Sequence, residues 1–239
     1  MTHLKSIPTF FFLMIILLTL ASCDKKEAIV EALNETEAVE IITTGLQTYA
    51  GGLTSNLELL AEQLVTAVKS GELCDSLYSE SINKAYSTLQ VEASYDTELS
   101  YELTCNTVGI PMSATFSTSG DLMYEAAKVI SEDEMIFTGT ASSLSLMEPS
   151  ILIVGDFEKE GIQTLELMEQ KTINSQFEVE VKAVEISKHN YEIKSGTGVF
   201  SLTGMSNGEA FFYSGEIIFK GSKMATLSIE GTAYDVTWK

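Results

Sequence analysis

Ser206 stands in Gly204-Met205-Ser206-Asn207-Gly208. Between a strand and a helix, Gly-x-Ser-x-Gly lifts a serine hydroxyl out of a sharp turn for acyl transfer. That chemistry needs a histidine base and a helix after the turn. Here the residues from Glu209 onward read as a strand, and no histidine follows His189, so the spacing predicts a hairpin turn. His189, in Ser187-Lys188-His189-Asn190, has only His3 as a fellow histidine. A lone imidazole builds no multi-histidine zinc site, and nothing marks a partner that would make it a general base. It is read as an exposed turn residue. Glu132-Asp133-Glu134 and Asp156-Phe157-Glu158 gather carboxylates of the kind that hold Ca²⁺. The Asp-x-Asp-x-Asp-Gly spacing of a dedicated loop is missing, so both are expected as solvated turns. A carboxylate pair for glycoside hydrolysis is positioned by the fold, and 34 acidic residues give no basis for choosing two. No catalytic residue, metal ligand or cofactor is assigned. Tyr191, Phe211, Phe212, Tyr213, Tyr234 and Trp238 are the aromatic candidates for gripping a sugar or peptide. Strand aromatics more commonly fill a core, and among Phe211-Phe212-Tyr213 at least one must face away from it.

The N-terminus carries a different chemistry. Lys5 precedes the apolar run Thr9–Leu20, which is too short to cross the ~30 Å of a bilayer core as a helix. Residues 1–22 are therefore expected as a cleaved signal peptide. Leu20-Ala21-Ser22-Cys23 resembles the lipobox of bacterial lipoproteins. The resemblance implies that Cys23 becomes the mature N-terminus and carries a diacylglyceryl thioether and an acylated amine. Each buried lipid CH₂ contributes about 0.8 kcal/mol of membrane affinity. The expected partner of Cys23 is thus a membrane.

Export would put Cys74 and Cys105 in an oxidising compartment, where an isolated pair forms a disulfide. Closing a loop of about 30 residues stabilises the fold by roughly 3–4 kcal/mol in the chain-entropy model. A redox pair would normally be spaced Cys-x-x-Cys, which this is not.

The plan of the chain is similar to that of small lipoproteins of Bacteroidota. The shared features are the lipobox, a helical opening, a cysteine pair and a β meander with strand ends such as Ser195-Gly196-Thr197 and Tyr213-Ser214-Gly215-Glu216. The resemblance implies no particular activity. Cys23-Asp24-Lys25-Lys26-Glu27 resembles the charged tether that directs such proteins outward. It implies the outer membrane, on its periplasmic face or at the cell surface, ahead of the inner membrane. Asp75-Ser76-Leu77 resembles the O-glycosylation motif of the same phylum.

The formal charge is −20, every cation besides histidine is a lysine, and there is no arginine. Such a surface repels phosphate backbones and lacks the bidentate anion clamp, so no nucleic acid partner is expected.

The elements that must position these residues fall into two parts. After the lipidated cysteine and tether, 23–34, residues 35–239 are expected to form one domain. Val39, Ile42, Leu46 and Tyr49 recur at helical spacing, with Asn34 and Glu37 placed for a capping box. Leu57, Leu60, Leu64 and Val68 line a second helix, with Ser55 as its cap and Gly71 as its stop. The pair predicts a helical hairpin over 35–70. Residues 71–90 read as loop with a short helix.

In 91–239 the period becomes two. Leu99, Tyr101, Leu103 and Cys105 share one strand face. Further strands are expected near 112–118, 121–130, 134–140, 143–155, 162–169, 176–186, 191–202, 209–220, 223–230 and 233–238. A change of parity near Ala183 predicts a bulge. The expected architecture is α+β: a helical hairpin packed on a long, curved antiparallel meander, with a sandwich or partial barrel as the related forms. The expected function is that of a lipid-anchored envelope module binding a protein or glycan through loops at one end of the sheet. An envelope hydrolase using two carboxylates and an assembly factor acting through the hairpin are the alternatives.

Overall fold

The computed structural model describes residues 32–47, 49–166 and 170–238. The leader 1–22, Cys23 and most of the tether lie outside the described residues.

Ten strands follow two helices. Helix α1 is Glu35–Leu46 and α2 is Leu53–Ser70. The strands are β1 Leu77–Ser87, β2 Val91–Cys105, β3 Pro111–Ala126, β4 Val129–Ser142, β5 Ser150–Glu166, β6 Gln170–Ser187, β7 Ile193–Ser206, β8 Glu209–Gly221, β9 Met224–Ile229 and β10 Thr232–Thr237. They form a single sheet in sequence order, each antiparallel to the next. Of the described residues 64% are strand and 15% helix. The expected α+β architecture is therefore corrected: the fold is a β meander, and the two short helices do not pack on it as a hairpin layer. The reason is area. A helix is about 10 Å wide and strands lie about 4.8 Å apart, so two helices shield roughly four strands of a flat sheet. The sheet curls around them instead. Ser55 and Glu58, three residues apart in α2, reach Tyr95 on β2 and Trp238 just past β10 respectively. In a flat sheet those strands would stand about 38 Å apart at ~4.8 Å per strand.

Alternation decides which face is covered. Along β4 the burial runs strictly in and out, with Met135 and Phe137 covered and Glu134 and Ile136 open. The covered face carries a stripe of rings across five strands, Phe116, Phe137, Phe157, Phe177 and Phe200, with successive centroids 4.8, 6.1, 6.4 and 6.2 Å apart. The helices pack over this stripe. Gly45 of α1 meets Phe177 so closely that a Cβ there would lie 2.7 Å from the ring. Leu46, Leu57 and Leu64 are fully buried and Val39 half-buried, so the helix faces are committed to the core.

Caps follow the sequence signals unevenly. The Asn34–Glu37 capping box forms, and Gly71 ends α2 in the left-handed region at φ 74°. The expected Ser55 cap is corrected. Gly52 caps α2, and Ser55 lies a few residues inside it, beside the Tyr95 hydroxyl. Cys74 and Cys105 are joined, with Cα atoms 5.8 Å apart, fastening the segment after α2 to the end of β2.

Several strand boundaries are also corrected. β1 was expected as loop and helix. Its Tyr78, Ile82 and Tyr86 recur every fourth residue, a helical spacing, while Glu80 and Lys84 occupy the intervening positions of the same strand face. The segments 112–118 and 121–130 are largely one strand, β3, which runs through Gly120. Glu132-Asp133-Glu134 and Asp156-Phe157-Glu158 lie inside β4 and β5, not in turns. The bulge near Ala183 is present, where the register shifts between Val181 and Ala183.

Placing Glu132-Asp133-Glu134 inside a strand turns Asp133 into the covered face. There Lys159 from β5 pairs with it at 2.6 Å, the two side chains 3% and 0% exposed. Gln163 donates to the other Asp133 oxygen, and the Ser175 hydroxyl donates to the Gln163 carbonyl at 2.6 Å. Gly161 sits between Asp133 and Ser175 in the ladder and leaves the space these side chains fill. Removing one member of a buried ion pair leaves the other charge without compensation, at about 3–5 kcal/mol. Asp133→Ala should therefore lower the urea unfolding free energy by roughly that amount. The double replacement Asp133→Leu with Lys159→Met should recover most of it.

Candidate functional site

The open face of β2–β5 is built by the same alternation that buries the phenylalanine stripe. Asp96 of β2 stands directly opposite Asp121 of β3, Asp121 opposite Glu134 of β4, and Glu134 opposite Glu160 of β5. Four carboxylates thus form one row across four strands. Directly opposed side chains have Cβ atoms about 4.5–5.5 Å apart, where like charges oppose pairing. Flanking rows add Glu132, Glu158 and Asp156, which lie open to solvent or half-buried. Among the described residues no lysine offsets them on this face. The one lysine in β2–β5 is Lys159, and it points inward to Asp133.

A groove of about 890 Å³ runs along this row. Asp121, Glu132, Glu134, Glu158 and Glu160 line it together with Met123, Ile136 and Ile162. Those three apolar side chains are 55%, 51% and 55% exposed. The site therefore presents fixed negative charge around an apolar strip. Among the described residues no group of three or more His, Cys, Asp or Glu side chains converges where a metal ion could sit. The carboxylates are splayed along a ladder and do not share a point. The arrangement suits an extended cation carrying apolar groups.

The other expected residues are placed as follows. Ser206 is buried at the end of β7, and Asn207-Gly208 form a two-residue turn with φ 53° and 86° before β8. The Gly-x-Ser-x-Gly spacing is a hairpin, and among the described residues no base approaches the hydroxyl. His189 is exposed in the β6–β7 turn, its backbone N–H donating to the Ser187 hydroxyl at 3.2 Å. Phe211 and Tyr213 turn toward the covered side, where Tyr213 donates to the Leu33 carbonyl at 2.6 Å, and Phe212 between them is open. Trp238 is buried edge-on against Phe219. None of these aromatics lines the groove. Sequence reading missed the acidic row because its members lie on four strands whose register no single strand discloses, and because Glu160 falls between two expected strands. The usable signal was the missing lysine on one parity of β2–β5.

One carboxyl stands apart. Burial pushes Glu58 up from its ordinary value, and the Glu192 carboxylate pushes it the same way, while Lys223 and the Trp238 indole N–H pull it down. It lies beside Trp238, away from the groove.

No protein-family profile, no curated protein and no solved structure matches this chain. The reading of the site rests on its own chemistry.

A carboxyl raised on folding contributes stability that is present below its unfolded pKa and lost as the pH rises through the folded value. Glu58→Gln should thus melt at a higher temperature than the native chain at neutral pH. The two should converge in acid below the ordinary carboxylate range. A scan of melting temperature against pH checks both ends.

Proposed function

We propose that this protein is a lipid-anchored binding module of the bacterial cell envelope, and that the open acidic face of β2–β5 is its contact surface. The observation that carries the reading is the cation-free row Asp96–Asp121–Glu134–Glu160 beside the exposed Met123, Ile136 and Ile162. Opposed carboxylates are held there at a cost in stability, and a cationic partner relieves it. The partner class is a basic segment with apolar side chains, such as a Lys/Leu-rich peptide strand. The surface moves from the expected loops at the sheet's end to a strand face, because that is where charge and apolar area coincide. The hairpin reading loses its surface, since Leu46, Leu57 and Leu64 are buried. Long-range attraction from the −20 charge would speed encounter with a cation at low salt.

The anchor belongs to the same proposal. The lipobox-like Leu20-Ala21-Ser22-Cys23 supports it, with the outer membrane as the favoured location. Cys23→Ser should abolish incorporation of labelled palmitate and move the protein from the detergent phase to the aqueous phase. An unchanged partition would overturn the anchor.

For the surface, calorimetric titration with a synthetic Lys/Leu decapeptide should show binding that weakens with salt. Glu134→Lys with Glu160→Lys should reduce affinity by about tenfold, the equivalent of ~1.4 kcal/mol. Absence of binding at low salt, or binding indifferent to the double substitution, would overturn this assignment.

A further inference from the structure

Among the described residues the sheet does not close, and β1 stands at its edge. β1 pairs with β2 over its whole length, Leu77–Ser87, without a bulge. Among the described residues no segment pairs with its other side. A regular free edge of eleven residues is a template for another strand. The side chains say which strand.

On the covered parity β1 presents Tyr78, Glu80, Ile82, Lys84 and Tyr86 in order. The midpoint of the strand is Ile82. Rotating a second β1 by a half turn about that midpoint places Tyr78 opposite Tyr86, Glu80 opposite Lys84, and Ile82 opposite Ile82. Every residue of the strand finds a partner. The opposite-charge pair occurs twice by symmetry, and the aromatic pair twice, both being pairings that stabilise antiparallel strands. On the open parity the opposed residues are Leu77 with Ser87, Ser79 with Ala85 and Ser81 with Asn83, none charged. Shifting the centre to Glu80 or Lys84 sets like charges against each other. β2, by contrast, carries Glu92, Asp96, Glu98 and Glu102 on its open parity. In a chain of formal charge −20, β1 is a neutral, self-complementary edge.

We propose that the β1 edge docks a second copy of this chain, antiparallel and centred on Ile82, making one continuous sheet across a two-fold axis. Glu80 and Lys84 set the register. Both are exposed in the single chain, so each is free to meet its counterpart. They also discriminate, because an apolar or all-acidic strand laid on this edge would leave at least one of them unmatched. The interface is isologous and closes at two copies.

The test is sedimentation equilibrium on the mature chain and its charge variants, with no cationic ligand present, so that its outcome is independent of the groove. The native chain should sediment as a monomer–dimer equilibrium. Glu80→Lys places two lysines opposite each other and Lys84→Glu two acids, and each alone should weaken dimerisation at least tenfold. The double swap Glu80→Lys with Lys84→Glu should restore it. Mixing the two single variants should give the heterodimer, since each then opposes a complementary residue. A native chain that stays monomeric at the highest attainable concentration would overturn the proposal. So would a dimer indifferent to both single variants, or open-ended polymers, which would mean that β1 pairs with a different surface such as β10.

Discussion

Ten strands must bury one face beneath two helices, and that shortage of cover governs the molecule. A flat sheet would leave most of its phenylalanines in water. Curling brings β2 and Trp238, just past β10, onto one short stretch of α2, where Ser55 lies within hydrogen-bond reach of Tyr95 and Glu58 lies beside Trp238. The ring stripe from Phe116 to Phe200 then lies under α1 and α2, and Gly45 lets α1 settle against Phe177. Burying a side chain of that size contributes about 1.5–3 kcal/mol, so the stripe outweighs any single polar contact in the fold. Because the helices are drawn wholly into this task, they offer no apolar stripe to a partner.

The same constraint assigns everything charged to one side or the other. Asp133 is the acidic residue of its cluster that alternation forces inward, and Lys159 is the lysine that meets it. Gln163 and Ser175 complete the hydrogen bonding, with Gly161 providing room. At the rim, Lys171 pairs with Glu37 at 2.8 Å, and Lys128 pairs with Glu40, tying α1 to the sheet. The Lys171–Glu37 pair is largely buried, its side chains 12% and 9% exposed, so removing either partner leaves a poorly solvated charge, whereas the open Lys128–Glu40 pair contributes about 0–1 kcal/mol and serves to orient the short helix.

Much of the architecture was legible because period-two alternation is a local signal. The shared face of Leu99, Tyr101, Leu103 and Cys105 follows from it, and so does the outward turn of Phe212 between Phe211 and Tyr213. The bulge at Ala183 showed as a change of parity. Three features were not legible, each for a physical reason. β1 carries apolar residues every fourth position and so imitates a helix. The acidic triplets imitate turns, since nothing local reveals that Lys159 lies across the ladder. The curl of the sheet depends on which residues α2 touches at both ends of the meander, a long-range property with no local trace. The acidic groove inherits that difficulty. Its row runs across four strands separated in sequence, and register, which no single strand discloses, decides that Asp96, Asp121, Glu134 and Glu160 coincide.

The uneven use of lysine argues that the acidic row is more than a device for solubility. In β6–β10 three acids on the open face have a lysine partner, Lys182 with Glu180, Lys194 with Glu185 and Lys220 with Asp235, while Glu178, Glu209 and Glu216 have none among the described residues. Those pairs set lysines beside strand carboxylates on that part of the sheet. On β2–β5 the chain places none, and sends its single lysine inward. Solubility alone would be served by acids scattered over turns and edges, where repulsion is screened and costs little. Aligning them on adjacent strands maximises their mutual repulsion, and setting Met123, Ile136 and Ile162 among them exposes apolar area as well. Both terms oppose the folded chain by itself, and both reverse sign when an apolar cation lies in the groove. A sheet face less favourable when empty than when occupied is what the proposed contact surface requires.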